Sequence, residues 1–256
     1  MTTQLADPRY QAPTTLTRRR ATPLVRWLAG CGATAVGCAA ISMAIMQLHP
    51  PADLLDPLST PLSTYALGSD AGIFDASVLM LLAGVLAVAA ALELGSSHSM
   101  GLLSRIGLGM CATGLLVVVV FPFHTTPSGQ LTTTGWAHVS GAGLVFIGPP
   151  MAALALARRH RPANGCSRLP QIASWLAVAT PGWLTTVLVL LTTAFGPTSA
   201  LPAEQIGGMV ERGLTTADMA TALVLAAWAW QDCPCRAAIT TAAPVGAPAM
   251  GTSTHG

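Results

Sequence analysis

Five ionisable side chains that could take part in ligand binding or catalysis lie in or beside long apolar stretches. They are Asp75, His138, Glu211, Arg212 and Asp218. A charged group within a membrane segment is costly unless it is paired or hydrated, so each of these residues is a functional candidate. An arginine can bind an anionic group, and a histidine beside a carboxylate can transfer protons or bind a metal ion.

A structural interpretation competes with the functional one. Acidic residues are favoured near helix N-termini by the helix dipole, and the ends of membrane helices are close to water, which could account for Asp75, Glu211 and Arg212. Glu211 and Asp218 are seven residues apart and share a helical face, whereas Arg212 and Asp218 are six apart and point in roughly opposite directions. The sequence therefore predicts that a partner for Asp218 comes from another helix, with His138 as the candidate to test.

The elements that must position these residues are six apolar stretches, each about as long as the roughly 20 residues that a helix needs to cross a bilayer. The predicted spans are Val25–Leu48, Gly72–Leu94, Leu102–Phe121, Trp136–Leu156, Ser174–Phe195 and Met209–Trp230. Prolines mark the loops after the first and third spans, and Pro181-Gly182 predicts a kink that does not end the fifth. Small residues four apart, Ala33 with Gly37 and Gly109 with Thr113, predict close helix approach.

Arginine positions predict the orientation of these spans. Cytoplasmic loops are enriched in arginine, and with six spans almost all the arginines near the membrane fall on one side: Arg18, Arg19, Arg20, Arg26, Arg105, Arg158, Arg159, Arg161, Arg168 and Arg236. Arg212 is the exception. Both termini are therefore predicted to be cytoplasmic, and the five candidates gather towards the opposite, outer side.

Composition supports an all-α, polytopic helix bundle in a bacterial cell membrane. Hydrophobic residues make up 52% of the 256 residues and charged residues 9%, against roughly a quarter charged in soluble domains. The net charge of +2 and the scattered arginines exclude the basic patch of a nucleic-acid binder. The predicted organisation is a disordered N-terminal tail (1–24), a six-helix transmembrane domain (25–231) and a disordered C-terminal tail (232–256).

Metal and nucleophile motifs are missing from the sequence. His124 and His138 with Asp75 or Asp218 could supply zinc ligands, but their spacing matches no metal motif, so no metal or cofactor is predicted. The chain has no phosphate-binding glycine loop, no serine-nucleophile elbow and no His-Glu-x-x-His helix.

Four short motifs resemble a known family. They are Pro61-Leu62-Ser63-Thr64-Tyr65-Ala66-Leu67-Gly68 before span two, Phe121-Pro122 closing span three, Gly135-Trp136-Ala137-His138 opening span four, and Glu211-Arg212 opening span six. Over Trp27 to Trp230 the chain resembles the bacterial and archaeal six-helix membrane proteins with the domain of unknown function numbered 998. The resemblance implies a membrane bundle without an established activity and adds Ser63 and Tyr65 to the positions of interest.

Three functions are compatible with these observations. The first is binding or transport of a small molecule or lipid headgroup at an outward-facing polar pocket formed by Ser63, Tyr65, Asp75, His138, Glu211, Arg212 and Asp218. The second is an intramembrane enzyme that acts on a lipid or isoprenoid phosphate, with His138 as acid or base. The third is a structural partner of another membrane protein, in which the polar residues only serve packing. Membrane lipids are partners in all three.

Overall fold

The computed structural model describes residues 22–48, 60–95, 100–126, 128, 130–160, 168–195 and 204–231. The predicted tails, 1–24 and 232–256, lie outside the described residues except for 22–24, where the first helix begins. Cys166, Cys233 and Cys235 also lie outside them.

Six α-helices and one short 3₁₀ helix account for almost all of the described chain. The α-helices are α1 (Pro23–Leu48), α2 (Ala71–Leu94), α3 (Leu102–Val120), α4 (Thr133–Arg159), α5 (Leu169–Phe195) and α6 (Glu204–Trp230), and the 3₁₀ helix is Leu62–Leu67. No strand occurs in the described ranges beyond a single bridge between Thr125 and Leu131. The all-α prediction is confirmed, and α4, α5 and α6 begin earlier than predicted.

Four of these helices, α1 to α4, are both long enough and apolar enough to cross a membrane. Large apolar side chains remain exposed on the bundle surface, among them Trp27 at 73% and Leu102 at 72%. Because water would not solvate such a surface, the chain is a multi-pass membrane protein. Helices α5 and α6 each have 27 residues, but α6 includes Glu211, Arg212 and Asp218. The six-span count and the orientation therefore remain predictions.

The helices form a ring in chain order. Each helix packs against the next one along the chain, and α6 closes the ring by packing against α1. Helix α6 also contacts α2 and α4, and the 3₁₀ helix packs against α2 and α6. This arrangement directs one face of α6 into the interior of the bundle.

Glycines bring two pairs of helices close together. A Cβ atom on Gly107 of α3 would lie 2.6 Å from the carbonyl oxygen of Gly148 on α4, and one on Gly84 would lie 3.0 Å from that of Gly32. Such contacts leave no room for a side chain. The glycines that the sequence suggested are not the ones in contact, because a Cβ on Gly37 or Gly109 would meet nothing within 4 Å.

A tight loop joins α3 to α4 and fixes the start of α4. The Thr132 hydroxyl accepts a hydrogen bond from the Gly135 amide at 3.1 Å and donates one to the His124 carbonyl at 3.0 Å. A threonine N-cap of this kind satisfies a backbone amide that the first helical turn leaves free. His138 is thereby held one turn into α4, facing the end of α3.

Candidate functional site

Two adjacent residues of α6 hold the segment that contains the 3₁₀ helix. The Ser63 amide donates a hydrogen bond to Oε1 of Glu211 at 3.3 Å, and Nη1 of Arg212 donates one to the Thr60 carbonyl at 2.7 Å. Ser63 is buried. The segment is therefore attached to α6 at both sides of Pro61, and the structure brings Ser63, Glu211 and Arg212 together.

Arg212 also binds the end of α1. Its Nε donates to Oε1 of Gln47 at 2.9 Å, and Nε2 of Gln47 donates to the Met43 carbonyl at 3.2 Å, which aims the amide oxygen at the guanidinium. The remaining nitrogen, Nη2, is buried and has no hydrogen-bond partner among the described residues. Both acceptors are neutral and no described carboxylate forms an ion pair with Arg212, although the adjacent Glu211 interacts with it electrostatically.

Tyr65 is the second residue whose polar group is buried without a partner. The side chain is 2% exposed, and no described group forms a hydrogen bond with its hydroxyl. A buried donor that forms no hydrogen bond costs about 1–3 kcal/mol. Tyr65 lies two residues after Ser63, on the same 3₁₀ helix that Glu211 holds.

Asp218 is the third residue of this kind. It is 5% exposed, and neither carboxylate oxygen has a hydrogen-bond partner in the described structure. The described residue that interacts with it electrostatically is Cys111 of α3. His138, the predicted partner, forms no ion pair or hydrogen bond with it.

His138 instead binds the end of α3. Its Nδ1 lies 2.8 Å from the Phe121 carbonyl oxygen, and the ring also interacts with the Val118 carbonyl. The Phe123 ring packs edge-on against it, with 5.8 Å between centroids. The last carbonyls of a helix have no partner within the helix, so His138 satisfies groups that α3 leaves free.

Asp75 is separate from the other candidates. It is half-buried in the first turns of α2, and no hydrogen bond or ion pair joins it to the described candidates. Among the residues that the structure describes, no three His, Cys, Asp or Glu side chains are close enough together to hold a metal ion.

Sequence reasoning missed Gln47 and Thr60, which the structure places against Arg212. Gln47 did carry a signal, since it is an amide in the last turn of an otherwise apolar span. Thr60 carried none, because it contributes a backbone carbonyl that any residue would supply.

The residue after Arg212, Gly213, contacts α5. The Trp183 indole packs onto Gly213, where a Cβ would collide with it.

Comparison with known proteins identifies a family and no activity. The model of the family described as "Protein of unknown function (DUF998)" matches residues 33–229, and the chain belongs to that family. No curated protein and no solved structure matches the chain.

Proposed function

We propose that this member of the DUF998 family binds the anionic group of a small molecule or lipid headgroup at Arg212. The observation that carries the proposal is the buried Nη2 of Arg212, which has no hydrogen-bond partner among the described residues while Nε and Nη1 are held by neutral oxygens. A guanidinium fixed in this way presents a charged donor that a phosphate or carboxylate oxygen can accept.

Tyr65 is proposed as a second donor to the same ligand. Its hydroxyl is buried with no hydrogen-bond partner in the ranges that the structure describes, and its helix belongs to the segment that Arg212 and Glu211 hold. An anion that accepts from both groups would satisfy two donors whose burial is otherwise unfavourable.

The site faces the extracytoplasmic side in this proposal. With six spans and both termini in the cytoplasm of a bacterial cell, the end of α1, the 3₁₀ helix and the first turns of α6 all lie on the outer side. Support comes from the arginines at the other ends of the helices, Arg105, Arg158, Arg159 and Arg168. The ligand would then be an extracellular or periplasmic anion, or a lipid headgroup of the outer leaflet.

His138 and Asp75 are left out of the proposed site because neither forms a described hydrogen bond or ion pair with Arg212, Tyr65 or Glu211. The enzyme that acts on a lipid phosphate would use His138 as acid or base, but His138 is bonded to the carbonyl end of α3, and Glu211, the carboxyl group adjacent to Arg212, accepts a hydrogen bond from the Ser63 amide. Binding, with or without transport, therefore has more support than catalysis.

Native mass spectrometry tests the proposal. Wild type, Arg212→Gln and Arg105→Gln would be purified in mild detergent, and the bound species identified. Arg105 is the matched control, because its Nε donates to Glu93 at 3.1 Å on the exposed surface. We expect an anionic species on wild type and Arg105→Gln that is lost from Arg212→Gln.

Titration of delipidated protein separates the two ligand sources. Saturable binding of phosphatidylglycerol in nanodiscs, with no effect of inorganic phosphate, would identify a site for a lipid headgroup. Saturable binding of inorganic phosphate, with no effect of phosphatidylglycerol, would identify a site for a soluble anion. Loss of the charged hydrogen bonds should weaken binding about 10- to 100-fold. Equal, ligand-free spectra from all three proteins, with no binding in either titration, would refute the proposal and favour the role as a structural partner.

A further inference from the structure

Asp218 lies halfway along α6. It is the fifteenth of the 27 residues from Glu204 to Trp230, which places it about 20 Å from either end at a rise of about 1.5 Å per residue. If α6 spans a bilayer with a hydrocarbon core of about 30 Å, this carboxylate is close to the midplane. That depth separates it from the helix ends, where acidic residues are in contact with water.

Among the described residues, no positive charge compensates Asp218. On its own face of α6 the buried neighbours are Leu214, Ala222, Leu225 and Thr221, whose hydroxyl donates to the Ala217 carbonyl. Glu211, two turns before it, accepts a hydrogen bond from the Ser63 amide. Arg212 is six positions away on a different face, where it is bonded to Gln47 and Thr60. No described residue forms an ion pair or hydrogen bond with Asp218.

The described side chains of the helices packed around α6 also leave Asp218 unpaired. Helices α1, α2, α4 and α5 and the 3₁₀ helix contact α6, and no described titratable side chain of theirs binds the carboxylate: Tyr65, Asp75 and His138 have the surroundings given above. The described titratable group that interacts with it is the buried thiol of Cys111 on α3. A thiol supplies no positive charge to balance a carboxylate.

We propose that Asp218 is an intramembrane binding site for a single monovalent cation, a proton or Na⁺. A buried carboxylate without a partner is strongly disfavoured, and one bound positive charge removes most of that cost. The proposal rests on three observations: neither oxygen has a hydrogen-bond partner among the described residues, the side chain is only 5% exposed, and the residue lies in the middle of its helix. It does not depend on a ligand at Arg212.

Buried carboxyls that exchange such a cation mark ion and proton pathways in membrane proteins. Occupied by a proton or Na⁺, Asp218 would be electrically neutral. Emptied, it would carry a negative charge in the interior of the bundle. Binding or release of the cation at Asp218 would therefore change the net charge in the interior of the bundle, against which α6, α2 and α4 pack.

Modification by dicyclohexylcarbodiimide tests the proposal on the wild-type protein. This apolar reagent adds a protonated carboxyl across one of its carbon–nitrogen double bonds and reaches carboxyls within the membrane. The detergent-purified full chain would be treated over a series of pH values without Na⁺, digested, and the labelled residue identified by mass spectrometry. We expect label at Asp218, decreasing about tenfold for each pH unit once the carboxyl begins to lose its proton.

Addition of Na⁺ distinguishes the two cations. Protection of Asp218 by Na⁺, with no protection by an equal ionic strength of choline, would identify a sodium site; labelling that Na⁺ leaves unchanged would identify a proton site. Asp218→Asn should lose the label, while Asp75, which is half-buried, reports reaction at a more accessible carboxyl in the same sample. Absence of label at Asp218 at every pH without Na⁺, while Asp75 reacts, would overturn the proposal.

Discussion

The chemistry of Arg212 depends on the neutrality of its neighbours. Gln47 and Thr60 each contribute an uncharged oxygen, and Glu211, the adjacent carboxylate, is hydrogen-bonded to the Ser63 amide instead of forming an ion pair. The guanidinium is therefore oriented by hydrogen bonds while its charge remains available to a ligand. A carboxylate in place of either acceptor would cancel that charge.

Gln47→Glu tests this dependence. The new carboxylate can accept the same hydrogen bond from Nε, so the fold should persist, but it competes with an anionic ligand for Arg212. We expect affinity for the ligand to fall at least about tenfold, measured by titration in nanodiscs. Gln130→Glu, the same substitution at an exposed loop residue, is the control and should bind as wild type does. Unchanged affinity in Gln47→Glu would contradict the assignment of Arg212.

The change in stability that we expect for Tyr65→Phe distinguishes a role in ligand binding from a role in packing. The hydroxyl has no partner in the described part of the chain, so its removal should leave the ligand-free protein as stable as wild type or more stable by about 1–3 kcal/mol, while weakening ligand binding. Ser77→Ala is the matched comparison, because that buried hydroxyl lies 2.8 Å from Ser42 Oγ and 2.7 Å from the Ile73 carbonyl. If Tyr65→Phe lowers the unfolding temperature as much as Ser77→Ala does, the hydroxyl has a structural role.

Some of the site could be predicted from single residues, and some required the fold. Arg212 was identifiable because the arginine distribution disfavours a basic residue on that side. Arg212 is more than 150 positions away in the sequence from Gln47 and from Thr60. No local sequence pattern specifies such pairings. His138 was identified as a buried ionisable group, but its partner is the backbone carbonyl of Phe121, which carries no signal in the residue type.

At the level of the elements, the glycines through which α3 and α4 contact each other are seven residues apart within each helix. Gly107 and Gly114 of α3 meet Gly148 and Gly141 of α4 in that order, so two contacts two turns apart keep the helices close along their length. The sequence search for four-residue spacing selected Gly37 and Gly109, which face away from any neighbour. Hydropathy locates a span, but only the packing of two helices shows which glycine faces the other.

Gly107→Val should separate α3 from α4. Its Cβ would collide with the Gly148 carbonyl, so we expect a loss of about 1–3 kcal/mol or more in the free energy of unfolding. Gly109→Val is the control on the same helix, with the same change in helix propensity and no atom within 4 Å of its Cβ. Thermal unfolding in detergent, followed by circular dichroism, measures both. Equal stability of the two variants would show that the glycine contact does not determine this packing.

For the whole molecule, the six helices were predictable because each is a long apolar run, and helix ends agreed with the predictions most closely in α1 to α3. Helix α6 differs in carrying Glu211, Arg212 and Asp218 within its predicted span, and it is not among the four helices, α1 to α4, whose described residues are apolar enough to cross a membrane. The same three residues carry both proposals. A helix that retains charged groups despite the cost of membrane insertion does so where they are functional or buried inside the bundle.

Orientation is the prediction on which the sidedness of both sites depends. The arginines at the ends of α3, α4 and α5 predict that both termini are cytoplasmic, with the loop between α3 and α4 outside. Alkaline phosphatase fused after Gln130 should therefore be active and a fusion after Trp230 inactive, whereas a green fluorescent protein after Trp230 should fluoresce. Active phosphatase after both Gln130 and Trp230 would mean that one of α4, α5 and α6 does not cross the membrane. Because the hydrogen bond from Arg212 to the Thr60 carbonyl keeps the start of α6 on the side of the 3₁₀ helix, the helix that does not cross would then be α6.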